Sequence, residues 1–249
     1  MPKFFVKNEQ ITEKNITILE QDVNHIKNVL REKVGNEIVI CDFNKKIDYL
    51  CKISSMNEEK IECKIIENLE TNSESNVKVT IFQGLPKSDK MELVIQKSVE
   101  LGVYDITPVE MKRCIVKLNE KEKSKKIQRW QKISEVAAKQ CGRNIIPKIN
   151  NIVSLKNAVE TFKEYDKVIV AYEKESQNTL KEEIIRLKEL GQTELKIGII
   201  IGPEGGIAEE EIKVLEENGV SVVTLGKRIL RTETVALNVL SVIMYELEN

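Results

Sequence analysis

The chain has 249 residues, with 39 Lys and Arg against 40 Asp and Glu, and its 41% hydrophobic content can fill the core of one large domain or two modest ones. No apolar run approaches the length of a membrane-spanning helix and the start MPKFFVKNEQ lacks the apolar region of a secretory signal, so a cytoplasmic location is expected. Five cysteines at 41, 51, 63, 114 and 141 form no CxxC pair and His25 is the only histidine, which argues against a metal site, a disulfide framework and a histidine-based triad.

Residues 1–72 read as a β-rich unit with one helix. Asp22 is placed to cap a helix that carries Val23, Ile26, Val29 and Leu30 at helical spacing, with Gly35 closing it. The runs EIVICDF, DYLCKISS and KIECKIIE read as three strands, the first two joined by a turn at Asn44 and Lys45. The polar stretch TNSESN at 71–76 marks a domain boundary.

From Val77 to the end, 77–249, strands and helices alternate. VTIFQGL is a strand that leads into Pro86 and Lys87, and residues 88–101 form a helix with Met91, Val94, Ile95 and Val99 on one side and Gly102 at its end. ITPVEM and CIVKL read as short strands, 125–141 as a long helix with Trp130 in its core face, VIVAY at 168–172 as a strand, and 180–190 as a helix closed by Gly191. Two more strands, IGIIIG and VVTLG, each open into a glycine-bearing loop, and a helix runs from about Glu233 to Leu247. This alternation predicts an α/β fold with a mostly parallel sheet.

Charge is distributed unevenly along the chain. Residues 87–148 hold 15 Lys and Arg against 8 Asp and Glu, whereas 149–249 hold 12 against 18. The central surplus is either a phosphate-facing surface or a solvated, lysine-rich helix.

The paired loops carry the chemistry. In an open parallel sheet the loops at the carboxyl ends of strands form the ligand crevice, where glycines let the backbone approach a guest closely. GPEGG at 202–206 is neither a GxGxxG nor a GxxxxGK[ST] fingerprint, and taken alone its glycines also fit a plain strand-to-helix turn. The second loop, LGKRILRTETVAL, sets Lys227, Arg228 and Arg231 beside Thr232 and Thr234 in an otherwise acidic region, which a mere connector does not need.

IGPEGGIAEEEI followed by LGKRILRTETVAL, together with KFFV, His25 with VLR at 29–31, LPKSDKMELVIQKSVELGV from Leu85, RCIV from Arg113 and RWQKISEVAAKQCGR from Arg129, resembles the ribosomal RNA small-subunit methyltransferase E family of the SPOUT superfamily. The resemblance runs along almost the whole chain. It implies a PUA-like RNA-binding domain over 1–72, a SPOUT α/β domain with a trefoil knot over 77–249, a homodimer, and S-adenosylmethionine as cofactor. The implied reaction methylates N3 of a uridine in 16S ribosomal RNA, within the small subunit or its late precursor.

By the same resemblance, Gly202, Pro203, Glu204 and Gly205 enclose the cofactor from one side. Leu225, Gly226, Ile229, Leu230, Thr232, Thr234 and Ala236 enclose it from the other, and Tyr172 and Glu173 form a third wall. Arg231 would stabilise the uracil anion, with Glu233 or Glu204 as proton acceptor, although a structural role suits either carboxylate equally. The RNA contacts would come from His25, Arg31, Lys87, Arg113, Lys125, Lys126, Arg129 and Arg143. One departure from the family pattern is Ile207-Ala208 after GPEGG, where Ala is a poor helix cap that Glu209, Glu210 and Glu211 partly offset. A ribose 2′-O-methyltransferase and a non-catalytic ribosome-assembly factor are the competing readings.

Overall fold

Ile38 and Ile40, Cys51 and Ile53, and Ile61 and Cys63 recur two apart on three strands, and each is at most 1% exposed. They form the centre of a five-stranded sheet in a computed structural model that describes residues 3–19, 21–70 and 73–248. Its strands are β1 (Lys3–Val6), β2 (Asn15–Leu19), β3 (Glu37–Asp42), β4 (Ile47–Met56) and β5 (Lys60–Leu69), in the order β1-β3-β4-β5-β2. β3, β4 and β5 are an antiparallel meander, β1 joins β3 in parallel, and β2 joins β5 antiparallel. The strands β1 and β2 are four and five residues long, too short for their alternation to announce them.

The single helix of this unit departs from its expected course. α1 (Gln21–Asn24) passes into a π-helical turn at His25–Val29, so the 3.6-residue spacing fails after Ile26. Val23 and Ile26 are buried, while Val29 and Leu30 turn out to solvent at 63% and 37% exposure. Asp22 lies in the first turn and gives its carboxylate to Lys139 at 2.9 Å instead of capping. The turn stops at Arg31, whose φ of 58° lets the Glu32 amide bond back to the Ile26 carbonyl at 3.0 Å, so Gly35 closes a later turn.

The chain divides into two compact units, one of residues up to 74 with 138–146, the other of 75–137 with 147 onward. A contiguous split at 71–76 therefore misses 138–146. That segment is tied to the first unit by the buried Lys3 ammonium, which donates to Gly142 O at 2.8 Å and Asn144 Oδ1 at 3.2 Å and pairs with Asp48 at 2.6 Å.

The second unit is built on β6 (Val77–Gly84), β7 (Asp105–Glu110), β8 (Lys148–Ile149), β9 (Val153–Ser154), β10 (Lys167–Ala171), β11 (Leu195–Ile201) and β12 (Ser221–Val223). The order is β12-β10-β11-β6-β7-β8, with β9 against β7, and every pairing is parallel. Near-continuous apolar runs such as Ile199, Ile200 and Ile201, each at most 1% exposed, suit strands covered on both faces. The helices are α2 (Lys90–Glu100), α3 (Glu120–Cys141), α4 (Leu155–Val159), α5 (Leu180–Glu189), α6 (Glu209–Glu217) and α7 (Thr232–Leu247). CIVKL is not a strand: Cys114 folds back under Met111, whose amide donates to its sulfur at 3.3 Å, and Ile115 is 66% exposed. No helix among the described residues is long and apolar enough to cross a membrane.

β6, β7 and β8 step toward one edge, whereas β10, β11 and β12 occupy the other side of β6. The order reverses between β6 and β11, and a crevice is expected at the carboxyl ends there.

Candidate active site at the carboxyl ends of β10, β11 and β12

A cavity of about 520 Å³ lies at this position, within the roughly 300–1,000 Å³ usual for small-molecule sites. The segment 201–207 after β11 forms one wall, 224–232 after β12 another, and Ala171 to Glu173 after β10 a third, with Lys90 and Val235 completing it.

The GPEGG loop is fixed by the protein itself. A Cβ on Gly84 would stand 2.7 Å from Pro203 Cδ, so only glycine at the end of β6 lets the loop cross. A Cβ on Gly205 would come within 3.0 Å of Arg113 Cβ and of its carbonyl oxygen. The glycine thus answers to packing against Arg113 on one side while it lines the cavity on the other. Arg113, expected on RNA, donates from Nη1 to Gly205 O at 3.1 Å and clamps the loop. Thr232 donates to Gly202 O at 2.7 Å and accepts from Gln83 Nε2 at 2.9 Å, which ties the start of α7 to the GPEGG loop and to the end of β6. At the loop's exit Ala208 takes the cap position, and the missing side-chain acceptor is offset by Glu211, which accepts from the Ala208 amide at 3.0 Å.

Lys90 joins the two candidate carboxylates. Its Nζ is 3.1 Å from Glu204 Oε1 and 3.3 Å from Glu233 Oε2, and Glu204 also accepts from the Lys87 amide at 3.1 Å. Burial pushes the Glu204 carboxyl up, but its own amide, the Lys87 amide and Lys90 together hold it below the ordinary carboxylate value. Glu204 in turn raises the Lys90 ammonium, against partial desolvation, with Glu233 adding to it. Both groups stay charged near neutrality, so Glu204 is a weak proton acceptor and reads as an anchor. The neighbouring Ser88, at φ 55°, holds the left-handed turn that presents the Lys87 amide.

Sequence reasoning missed Lys90, Ala171, Ile201, Ile207 and Thr224 as lining residues. Lys90 left one signal, a cation at the first position of a helix, where the macrodipole disfavours it. Among the expected residues, Tyr172, Glu173, Gly202, Pro203, Glu204, Gly205, Leu225, Gly226, Ile229, Leu230, Arg231 and Thr232 line the cavity. Glu233, Thr234 and Ala236 do not. Because α7 begins at Thr232, the helical turn carries Thr234 out to solvent and Ala236 into the core at 1% exposure, and brings Val235 to the cavity instead.

Arg231 is exposed at the N-cap of α7, and its guanidinium has no protein partner among the described residues. Gly226, at φ 105°, faces open space where a Cβ would meet nothing within 4 Å.

The residues expected on RNA divide by environment. His25, Arg31, Lys87 and Lys125 are exposed, with the His25 ring 6.2 Å from Phe4. Lys126 sits 5.6 Å above the buried Trp130 ring, and Arg129 pairs with Glu92 at 2.7 Å. Arg143 is a correction: it is 5% exposed and bound to Glu74 at 2.5 Å, because its segment packs into the first unit. Part of the central surplus is cancelled by carboxylates outside 87–148, through Lys112–Glu210, Lys139–Asp22, Arg143–Glu74 and Lys90 with Glu204 and Glu233.

Residues 73–244 match the RNA methyltransferase domain family, and residues 18–66 match the RNA methyltransferase PUA domain. A ribosomal RNA small subunit methyltransferase E from Bacillus subtilis (strain 168) is 37% identical over 254 residues, covering 100% of this chain and 98% of the relative. The chain belongs to the ribosomal RNA small subunit methyltransferase E family. Its fold superposes on the putative methyltransferase Lpg2936 from Legionella pneumophila in complex with SAM, at a TM-score of 0.86 and 30% identity over 98% of this chain and 96% of that one. A second family structure, from Neisseria gonorrhoeae and bound to S-adenosyl methionine, gives 0.84 and 31% over 98% and 97%.

Proposed function

We propose that the protein transfers a methyl group from S-adenosylmethionine to N3 of a uridine in 16S ribosomal RNA, in the cytoplasm and on the small subunit or its late precursor. The observation that carries this reading is the cavity between two glycine loops with an unpaired Arg231 guanidinium at its rim, in a chain of this family.

The residues present fit the cofactor. Residues 202–206 and 224–230 line a cavity of suitable size, Leu225 and Leu230 offer apolar surface to a ring, and Gly226 leaves its wall clear. When bound, S-adenosylmethionine supplies an activated methyl group on a sulfonium. The protein's part is to hold, orient and stabilise charge. Thr232, Arg113, Glu204 and Lys90 keep the first loop in place. Loss of the N3 proton spreads negative charge onto uracil O2 and O4, where the Arg231 fork is the available donor. Glu204 and Glu233 are the two candidate proton acceptors: Glu204 lines the cavity but is held by the Lys87 amide and Lys90, and Glu233 pairs with Lys90 outside the cavity lining.

The N-terminal unit is read as the PUA-like RNA-binding domain, with a boundary at 71–76, and exposed His25 and Arg31 as its contacts. A trefoil knot around the two loops and a homodimer through α7 belong to the same proposal. The dimer reading is supported by Ile229 and Tyr245, each 85% exposed. Mass mapping of ribosomal RNA from cells lacking the protein tests the function: a missing methyl on a uridine base is expected, and one missing from a ribose would move the assignment to 2′-O-methylation.

A further inference from the structure

A second cavity, of about 480 Å³, opens in the same unit beside the amino-terminal ends of β7 and β8 and shares no lining residue with the first. Its lining sets polar side chains beside Phe82, Val153 and Ala158. Asp105 begins β7, Lys148 begins β8, and Thr107, Asn150, Tyr165 and Lys196 stand around them. The Thr80 and Asn150 side chains bond to the Asp105 carboxylate, yet Oδ1 is enclosed and accepts no hydrogen bond from the protein. Asn150 Nδ2 donates to Thr107 Oγ1 at 3.0 Å, which leaves the Thr107 hydroxyl hydrogen to serve a further acceptor.

Two cations belong to the same lining. Lys196 lies 4.5 Å above the Tyr165 ring and 3.4 Å from Glu164, and Lys148 is exposed without an ion pair among the described residues. Both stand close enough to Asp105 to pull its carboxyl down, although burial outweighs them and pushes it up. Two ammonium groups disfavour a metal cation here, and the mixed wall suits a guest that carries both polar groups and an apolar ring face.

We propose that this cavity is a ribonucleotide subsite, in which a ribose hydroxyl donates to the Asp105 carboxylate and the phosphate is held by Lys148 and Lys196. A fixed carboxylate is an established acceptor for a ribose hydroxyl, and lysine ammonium groups are point-charge partners for phosphate. A free nucleotide and a residue of an RNA chain present the same chemistry, so the test separates them.

Calorimetry of the full-length protein with cytidine 5′-monophosphate, its 2′-deoxy counterpart and the trinucleotide CpCpC provides that test. The ribonucleotide is expected to bind at least fivefold more tightly than the deoxy form. Asp105→Asn and Lys148→Glu should each weaken it at least tenfold. Asp105→Asn should also match or exceed the wild type in thermal stability, since it removes an enclosed charge with an unmet acceptor. Lys148 is on the surface, so Lys148→Glu keeps the test valid if the first variant fails to fold. Tighter binding of the mononucleotide marks a site for free nucleotide, and tighter binding of CpCpC marks a contact to RNA. Equal affinities for ribo and deoxy forms, unchanged affinity in both variants, or no binding of either ribo probe at millimolar concentration would overturn the assignment.

Discussion

The two loops that enclose the first cavity are built in opposite ways. Residues 202–206 are gripped from every side, by Arg113 on Gly205, Thr232 on Gly202, Lys87 and Lys90 on Glu204, and Gly84 beneath Pro203. Residues 225–230 are largely exposed, with Ile229 at 85% and a local bond from the Gly226 amide to Thr224 Oγ1 at 3.3 Å. The first loop is held by the protein itself, whereas the second makes few contacts within the chain. Under the proposed function, catalytic groups are expected on the second loop and positioning groups on the first.

The largest expected effect comes from the free guanidinium. Arg231→Ala should retain the fold and most cofactor affinity while turnover falls by about two to four orders of magnitude, the range for removing a preorganised charge-stabilising donor. Arg231→Lys should recover only part of this. If Arg231→Ala instead weakens RNA binding and turns over normally at saturating substrate, the second loop positions and the contrast between the loops fails.

Next is Lys90, which holds two carboxylates beside the cavity. Lys90→Met should raise KM for the cofactor about ten- to a hundredfold with a smaller change in kcat, because the first loop loses its anchor while the charge-stabilising donor remains. A kcat loss as large as that of Arg231→Ala would place Lys90 in the chemistry.

Gly205→Val should destabilise the protein by about 1–3 kcal/mol through overpacking against Arg113, and weaken cofactor binding by deforming the loop. Thermal denaturation checks it. A stable variant that has lost all cofactor affinity would restore the idea that this glycine touches the ligand.

The smallest effect is a pH dependence. Glu204 is held below its ordinary value, so its stabilisation of the loop is fully present above about pH 4.3, the unfolded reference, and is lost as pH falls through the lowered folded value. Affinity for S-adenosylhomocysteine, followed by calorimetry, should therefore be insensitive to Glu204 between pH 5 and 8. Glu204→Gln should bind more weakly than the wild type throughout that range, with the difference closing only in more acidic solution.

The sequence by itself determined what depends on neighbours along the chain. The 3.6-residue stripe of Met91, Val94, Ile95 and Val99 is the buried face of α2, and the apolar runs from Val77, Val168 and Ile197 are strands of a parallel sheet. GPEGG and KRILRT were legible as two walls of one cavity because glycines and clustered cations follow strand ends, a local signature. Tertiary structure decided the rest. Whether a charge faces RNA or a carboxylate depends on residues far away in the chain, as in Arg143 with Glu74 or Lys90 with Glu204 and Glu233. The π turn after Asn24 and the failure of CIVKL to pair are equally non-local, since a helix keeps its period and a strand its ladder only where packing and a partner strand hold them.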